Sequence, residues 1–217
     1  MGFNKRTGLM QYQLLELALS EVGIVNADIF VNHVDGTVKV NDIILNLKYP
    51  HSFISNIKAL STEKLYNYCF KGTTTFKSAT LNRTTLLERF ETPDNMILHT
   101  SEGITRKNKK EFDVSYYQLL CNSKYSLCPN WSGKHWDHEF AWTYRFIESA
   151  FCKSVPIVFN ETPLGKNSTK NIIHFSNDNL PELTDSDYNE ITEKNYINAL
   201  NHWTLQDTEI EKIKMSI

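Results

Sequence analysis

The stretch from Tyr125 to Phe159 constrains the fold more than any other part of the chain. It reads as a short apolar strand, Tyr125-Ser126-Leu127-Cys128, closed by Pro129, then a polar and aromatic loop, a helix, and the apolar run Val155-Pro156-Ile157-Val158-Phe159. Strand, loop, helix and second strand in that order make one unit of a parallel α/β sheet, and an apolar run without alternation suits a strand covered on both faces. Between Phe140 and Phe151, the residues Phe140, Tyr144, Phe146, Ile147, Ala150 and Phe151 recur at helical spacing, so that side is expected to lie on the sheet. Arg145, Glu148, Ser149 and Cys152 are expected on the other side, where Arg145 and Glu148 either pair with each other or point together at a ligand.

The rest of the chain extends the same alternation. Leu65 to Lys71 reads as a strand running into Gly72-Thr73-Thr74-Thr75, a hydroxyl-rich turn whose backbone amides can approach a phosphate. Leu81 to Phe90 reads as a short helix with Arg83 in its first turn, Asn95 to Thr100 as a strand, Val114 to Asn122 as a helix and Asn171 to Phe175 as a last short strand. Asn177 to Asp187 reads as irregular, and Thr192 to Ile217 as one or two amphipathic helices. Ahead of all this, Leu9 to Val22 has the pattern of an amphipathic helix stopped by Gly23, and Asp28 to Val34 and Thr37 to Leu47 supply short strands. That first part is short of the ~100 residues of a full Rossmann-like domain. The expected class is therefore α/β: an abbreviated N-terminal region of helix and short strands over 1–65, then over 66–217 a Rossmann-like parallel sheet flanked by helices.

Composition narrows the partners. A net charge of −2 on 217 residues gives no reason to expect nucleic acid or an anionic membrane surface as partner, so any nucleotide must be held by local groups. No apolar run approaches the ~20 residues of a membrane span, and Met1 to Gly8 lack the apolar core of a secretory signal, so a cytoplasmic protein without a membrane span is expected. Cys69, Cys121, Cys128 and Cys152 form no CxxC pair and fall within apolar elements, which predicts reduced, buried thiols. Asp185-Ser186-Asp187 is an isolated DxD; such a pair can hold a metal or simply belong to a polar loop.

Ligands of open parallel sheets bind at the carboxyl ends of the strands. The loop Pro129 to Ala141 stands at such an end and carries Asn130, Ser132, Gly133, Lys134, His135, Asp137, His138 and Glu139. Gly72 and Thr73 share that edge, and Arg83 and Arg145, each near a helix start, are set to converge on one anion from two sides. Asp137, His138 and Glu139 have the chemistry of acid/base groups and equally that of helix caps.

Three segments carry a family resemblance. Tyr68-Cys69-Phe70-Lys71-Gly72 followed by Arg83, then Ser123-Lys124-Tyr125-Ser126-Leu127-Cys128-Pro129, then Thr143-Tyr144-Arg145-Phe146-Ile147-Glu148-Ser149-Ala150 with Val155-Pro156-Ile157-Val158, resemble the exostosin family of glycosyltransferases in order and spacing. The resemblance spans roughly residues 66 to 175. It implies the C-terminal, nucleotide-sugar-binding half of a GT-B fold, with Arg83 and Arg145 on the donor diphosphate and Glu148 on ribose or sugar hydroxyls. Gly72, Thr73, Asn130 and Ser132 complete the implied donor site. The implied reaction moves a sugar from a nucleotide-diphosphate donor to a glycan or other hydroxyl acceptor in glycan synthesis. Positive side chains would do a metal's work there, no cofactor is implied, and Asp137, His138 or Glu139 is the candidate base. In this fold the base usually sits in an acceptor half, for which residues 1–65 are few. The acceptor wall is then expected from the loop Trp131 to Glu139, from a second copy in a homo-oligomer, or from a partner protein. Two rival classes are a non-catalytic nucleotide-sugar-binding subunit or regulator and a nucleotide-binding protein of unrelated chemistry; sugar transfer or donor hydrolysis distinguishes the enzyme from the subunit.

Overall fold

A computed structural model describes residues 4–5, 12–32, 36–74, 79–100, 111–130, 132–133, 143–165 and 169–217. The chain opens with β1 (Asn4–Lys5), α1 (Tyr12–Glu21), β2 (Asp28–Asn32), β3 (Thr37–Val40), β4 (Ile43–Asn46) and α2 (His51–Lys58). Alternation in β2 and β3 puts Ile29, Val31, Val38 and Val40 in the core, and β2, β3 and β4 pair antiparallel, with β1 added parallel to β2. Gly23 takes a left-handed φ of 78° just past α1, the conformation that ends a helix at least cost for a residue without Cβ.

The second part runs β5 (Tyr66–Thr73), β6 (Ala79–Leu81), α3 (Arg83–Leu87) continued by a 3-10 turn (Glu88–Phe90), β7 (Met96–Thr100), α4 (Val114–Cys121) and β8 (Ser123–Cys128). It continues with β9 (Ser132–Gly133), α5 (Tyr144–Phe151), β10 (Val155–Val158), β11 (Phe175–Ser176), α6 (Asp185–Trp203) and α7 (Asp207–Met215). Five strands form one sheet in the order β11-β10-β8-β5-β7, every pairing parallel. This is the expected parallel sheet flanked by helices. Its two faces are separate apolar layers. Phe70, Tyr125, Leu127, Val155 and Ile157 pack on Leu86, Leu87, Phe90 and Tyr188, while Cys69 and Cys128 share the other layer with Tyr117, Leu120, Phe146, Ile147, Ala150 and Phe151. A strand covered on both sides needs apolar or small residues, which is why Tyr125 to Cys128 of β8 and all of β10 carry no charged side chain.

The sequence order of the strands fixes where a ligand can enter. From β5 the chain steps outward to β7, returns to the other side as β8, and then moves outward again through β10 and β11. The direction of winding reverses between β5 and β8, so the crevice outside their carboxyl ends is the topological switch point.

Several boundaries differ from the sequence reading. The last strand is Phe175–Ser176 rather than Asn171 to Phe175. The helix expected from Leu81 starts at Arg83, because Ala79–Leu81 pair with Ser132–Gly133 as a strand. The DxD lies in the first turn of α6 rather than in an irregular loop. Thr184 caps that helix, its Oγ1 accepting from Asp187 N at 3.2 Å, and two carboxylates in a first turn suit the helix dipole. The four cysteines are free and buried, as expected.

The N-terminal segment is sewn to the last helices. Tyr49 N donates to Trp203 O at 2.7 Å, and the Tyr49 ring meets Phe151 edge-on at 5.2 Å. Lys48, fully buried, directs Nζ to His202 O (3.1 Å), Thr204 O (3.2 Å) and Glu209 Oε1 (2.8 Å). Burial lowers the Lys48 pKa, opposed by the hydrogen bond and charge of Glu209.

Candidate functional site at the switch point

Arg83 and Arg145 meet at the carboxyl end of β5. Arg83 opens α3 and its backbone N donates to Thr74 O at 2.9 Å; its Nη1 donates to Thr73 O at 3.2 Å. Arg145 is the second residue of α5, the helix that follows β8, and its Nη2 donates to Lys71 O at 2.7 Å. Each arginine is 7% exposed. The Arg145 guanidinium also lies over the Phe70 ring, 4.2 Å from its centroid, and Nε has no hydrogen-bond partner among the described residues. Burial, and after it the Arg145 charge, holds the Arg83 pKa well below the usual guanidinium range. Two buried cations that press on each other, one of them resting on a carbonyl and an aromatic face, make a positive pole that an anion would relieve.

Gly72 lies between these contacts, and a Cβ there would stand 2.8 Å from Arg145 Nη2, so the absence of a side chain is what lets the guanidinium lie against the strand. Thr73 and Thr74 are buried beside it, and Thr73 Oγ1 is 3.5 Å from Thr100 Oγ1 at the end of β7. Lys71 adds a third cation at the strand end. Its Nζ donates to Ser115 Oγ at 2.6 Å and lies 3.6 Å from Asp113, the cap of α4.

The expected polar face of α5 does not exist. Arg145, Glu148, Ser149 and Cys152 are all buried: Glu148 and Cys152 meet α4, while Arg145 lies against Phe70 and Lys71 of β5 and Ser149 against Cys128 of β8. Among the described residues no ion pair joins Arg145 to Glu148. Glu148 is fully buried and takes the Tyr116 hydroxyl on Oε2 at 2.7 Å and the Tyr117 hydroxyl on Oε1 at 3.1 Å. Hydroxyl donors satisfy a buried carboxylate that would otherwise be very costly there. Both tyrosines belong to α4, so the carboxylate ties α4 to α5 directly beneath Arg145. Ser149 Oγ donates to Arg145 O at 2.5 Å and adds to that anchoring.

Asn130 follows β8 and is 2% exposed; its backbone N donates to Thr162 Oγ1 at 3.1 Å, while Nδ2 has no partner among the described residues. Ser132 lies in β9, which pairs antiparallel with β6 (Ala79↔Gly133, Leu81↔Ser132). That ribbon joins the loop leaving β5 to the loop leaving β8, across the switch point. Trp131, Asp137, His138 and Glu139 lie outside the described residues. Gly72, Thr73, Arg83 and Arg145 are therefore brought together, with Asn130 at the end of the neighbouring strand.

Sequence reasoning missed Tyr116 and Tyr117 as partners of Glu148 and missed the ribbon. Adjacent tyrosines in an apolar helix give no polar signal, and a two-residue strand has no periodicity to detect. Among the described residues, no group of three or more His, Cys, Asp or Glu is arranged to hold a metal, and no helix is long and apolar enough to cross a membrane.

No protein-family profile matches the chain, and no curated protein matches it. Of solved structures, the one titled "Crystal structure of GtfA/B complex" aligns over 72% of this chain at 11% identity and a TM-score of 0.37. The present chain covers 36% of that neighbour.

Proposed function

We propose that this chain is the nucleotide-sugar-binding half of a GT-B-type glycosyltransferase, as its resemblance to the exostosin family implies. It transfers a sugar from a nucleotide-diphosphate donor to a hydroxyl acceptor without a metal. One observation carries the reading: Arg83 and Arg145, both buried, hang from the carbonyls of Thr73 and Lys71 at the switch point of a parallel sheet. A diphosphate in that crevice would take charge-assisted hydrogen bonds from both guanidinium groups, and the same groups would stabilise the charge that builds on the leaving diphosphate as the sugar departs. Gly72 lets the Arg145 guanidinium lie against the strand end, and the Thr73 hydroxyl and Asn130 amide lie at the ends of the two strands flanking the crevice.

In this reading the loop Trp131 to Glu139 supplies the acceptor wall, with Asp137, His138 or Glu139 taking the proton of the attacking hydroxyl. A second copy or a partner protein is the other source of that wall. A non-catalytic donor-binding subunit is the second reading. It is favoured by the packing of β2–β4 and the following segment against α6 and α7, which uses the N-terminal region as part of one body with the sheet. Calorimetry with nucleoside diphosphates tests the donor site. A radiolabelled-sugar transfer and donor-hydrolysis assay then separates enzyme from subunit, and well-folded protein that binds no nucleoside diphosphate overturns both.

A further inference from the structure

α4 and α5 lie side by side on one face of the parallel sheet, and because each leads from the carboxyl edge back to its next strand, they run in the same direction. Their contact is laddered. On one rung the Tyr117 hydroxyl of α4 donates to Glu148 of α5 at 3.1 Å. One turn further along each helix stand Cys121, the last residue of α4, and Cys152, which closes α5. Cys152 Sγ lies 3.9 Å from Tyr117 O, the carbonyl one turn before Cys121, and the two buried thiols hydrogen-bond to each other. Lys64 draws the same helix ends together: its Nζ donates to Cys121 O at 2.7 Å, to Lys153 O at 3.0 Å and to Ser123 O at 3.2 Å. Carbonyls that share one ammonium in this way stand within roughly 6 Å of each other, about the separation of the two backbones in a disulfide. The other two thiols are turned elsewhere. Cys128 directs Sγ to Ser126 O at 3.3 Å and stands 4.0 Å from Ser149 Oγ, and Cys69 is opposite Ser126 in the β5–β8 register.

We propose that Cys121 and Cys152 are a dithiol that a peroxide converts to a disulfide, a redox-sensitive latch across α4 and α5. The Cys121 thiolate attacks one oxygen of hydrogen peroxide and becomes a sulfenic acid, and the departing hydroxide takes a proton to leave as water. The Cys152 sulfur then displaces a second water from that sulfenic acid, so two thiols and one peroxide give one disulfide and two waters. The surroundings set these roles. The hydrogen bond from the Cys152 thiol holds the Cys121 pKa below the ordinary 9.0, against the effect of burial and with help from the Lys64 charge. Burial, and after it the Cys121 thiol, push Cys152 well above that value, which suits the thiol that resolves rather than the one that attacks. Hydrogen peroxide is little larger than water, so brief local openings admit it to a buried pair while excluding bulkier reagents. The cross-link would repeat in covalent form the tie that Glu148 makes one turn earlier, and would hold the helix that carries Arg145.

The test exposes the reduced full chain to hydrogen peroxide under native conditions, alkylates the remaining thiols in urea and maps the disulfides by mass spectrometry. One cross-link between Cys121 and Cys152 is expected, with Cys69 and Cys128 alkylated and full reversal by dithiothreitol. The cross-linked protein is expected to unfold about 5 to 10 °C higher than the reduced one. In Cys152→Ser the sulfenic acid should remain on Cys121, where dimedone traps it on unfolding, whereas Cys121→Ser should give no adduct at Cys152. Recovery of all four thiols after peroxide, a cross-link that includes Cys69 or Cys128, or irreversible sulfinic acid on Cys121 overturns the proposal. A cross-linked protein that unfolds at the same or a lower temperature overturns the latch as well, and equal dimedone labelling in the two serine variants overturns the order of attack. The mapping uses the wild-type chain, so it decides the matter even where a serine variant fails to fold.

Discussion

Gly72 and Arg145 are in reach of each other across the switch point: a methyl group on the first would stand 2.8 Å from Nη2 of the second. Gly72 lies in β5, where alanine is tolerated by the backbone, and the clashing atom is the tip of a flexible side chain. Gly72→Ala is therefore expected to displace the guanidinium from Lys71 O rather than to unfold the protein. Affinity for a nucleoside diphosphate falls about tenfold or more with little change in unfolding temperature. Calorimetry beside a thermal melt checks both halves of that statement, and an unchanged affinity would take Arg145 out of the site.

Arg145→Ala and Glu148→Ala, both on α5, should behave differently. Loss of Arg145 removes a cation whose described contacts are one carbonyl and one ring, so binding is the readout and weakens about ten- to a hundredfold. Loss of Glu148 leaves two buried tyrosine hydroxyls without their acceptor and a void between α4 and α5, which costs about 3 kcal/mol of stability. The helical pattern alone puts Glu148 on an outer face and expects Glu148→Ala to leave the fold intact. Urea unfolding of Glu148→Ala together with Tyr116→Phe and Tyr117→Phe decides between the two; near-additive, small losses would return Glu148 to the surface.

How much of this was legible in the chain can be argued from α5 itself. The strand and helix alternation and the five parallel strands follow from apolar runs, turn residues and their order, because those signals are local. The burial of Arg145, Glu148, Ser149 and Cys152 does not, since it is set by α4 on one side and by β5 and β8 on the other, packing partners chosen by tertiary structure. The hidden character of Glu148 depends on two hydroxyl groups thirty-one and thirty-two positions away.

The thiols give a pH prediction. Burial pushes the Cys128 thiol up to about 12, and burial also raises Cys69. A thiol whose folded pKa lies above its unfolded value, near the ordinary 9.0, adds stability that is complete below that value and is lost as pH rises toward about 12. The urea midpoint is therefore expected to fall across that alkaline window, and Cys128→Ala to fall less steeply. In the native protein at pH 8 a thiol reagent should label none of Cys69, Cys121, Cys128 or Cys152 quickly, and all four after unfolding. Rapid native labelling of Cys128 would contradict its burial.

Lys48→Met removes a buried ammonium from two carbonyls and from Glu209, and breaking one side of such a pair costs about 3 kcal/mol. Urea unfolding is the measurement, with Glu209→Gln as the companion variant. If the pair is the tie described above, each single variant should lower stability and the double variant should lose less than their sum.

The partners of Lys48 are also separated from it by the greater part of the sequence. His202, Thr204 and Glu209 are 154 to 161 positions away, so the lysine sits at one end of some of the longest loops the chain must close. During synthesis the first short strands emerge well before the helices that complete their core, and the five-stranded sheet can assemble while Lys48 is still hydrated. The last helices then arrive as the piece that strips water from it. Docking of the two ends is expected to be a late and slow folding event, seen as a refolding phase that Lys48→Met accelerates or abolishes while the phase reporting the parallel sheet keeps its rate.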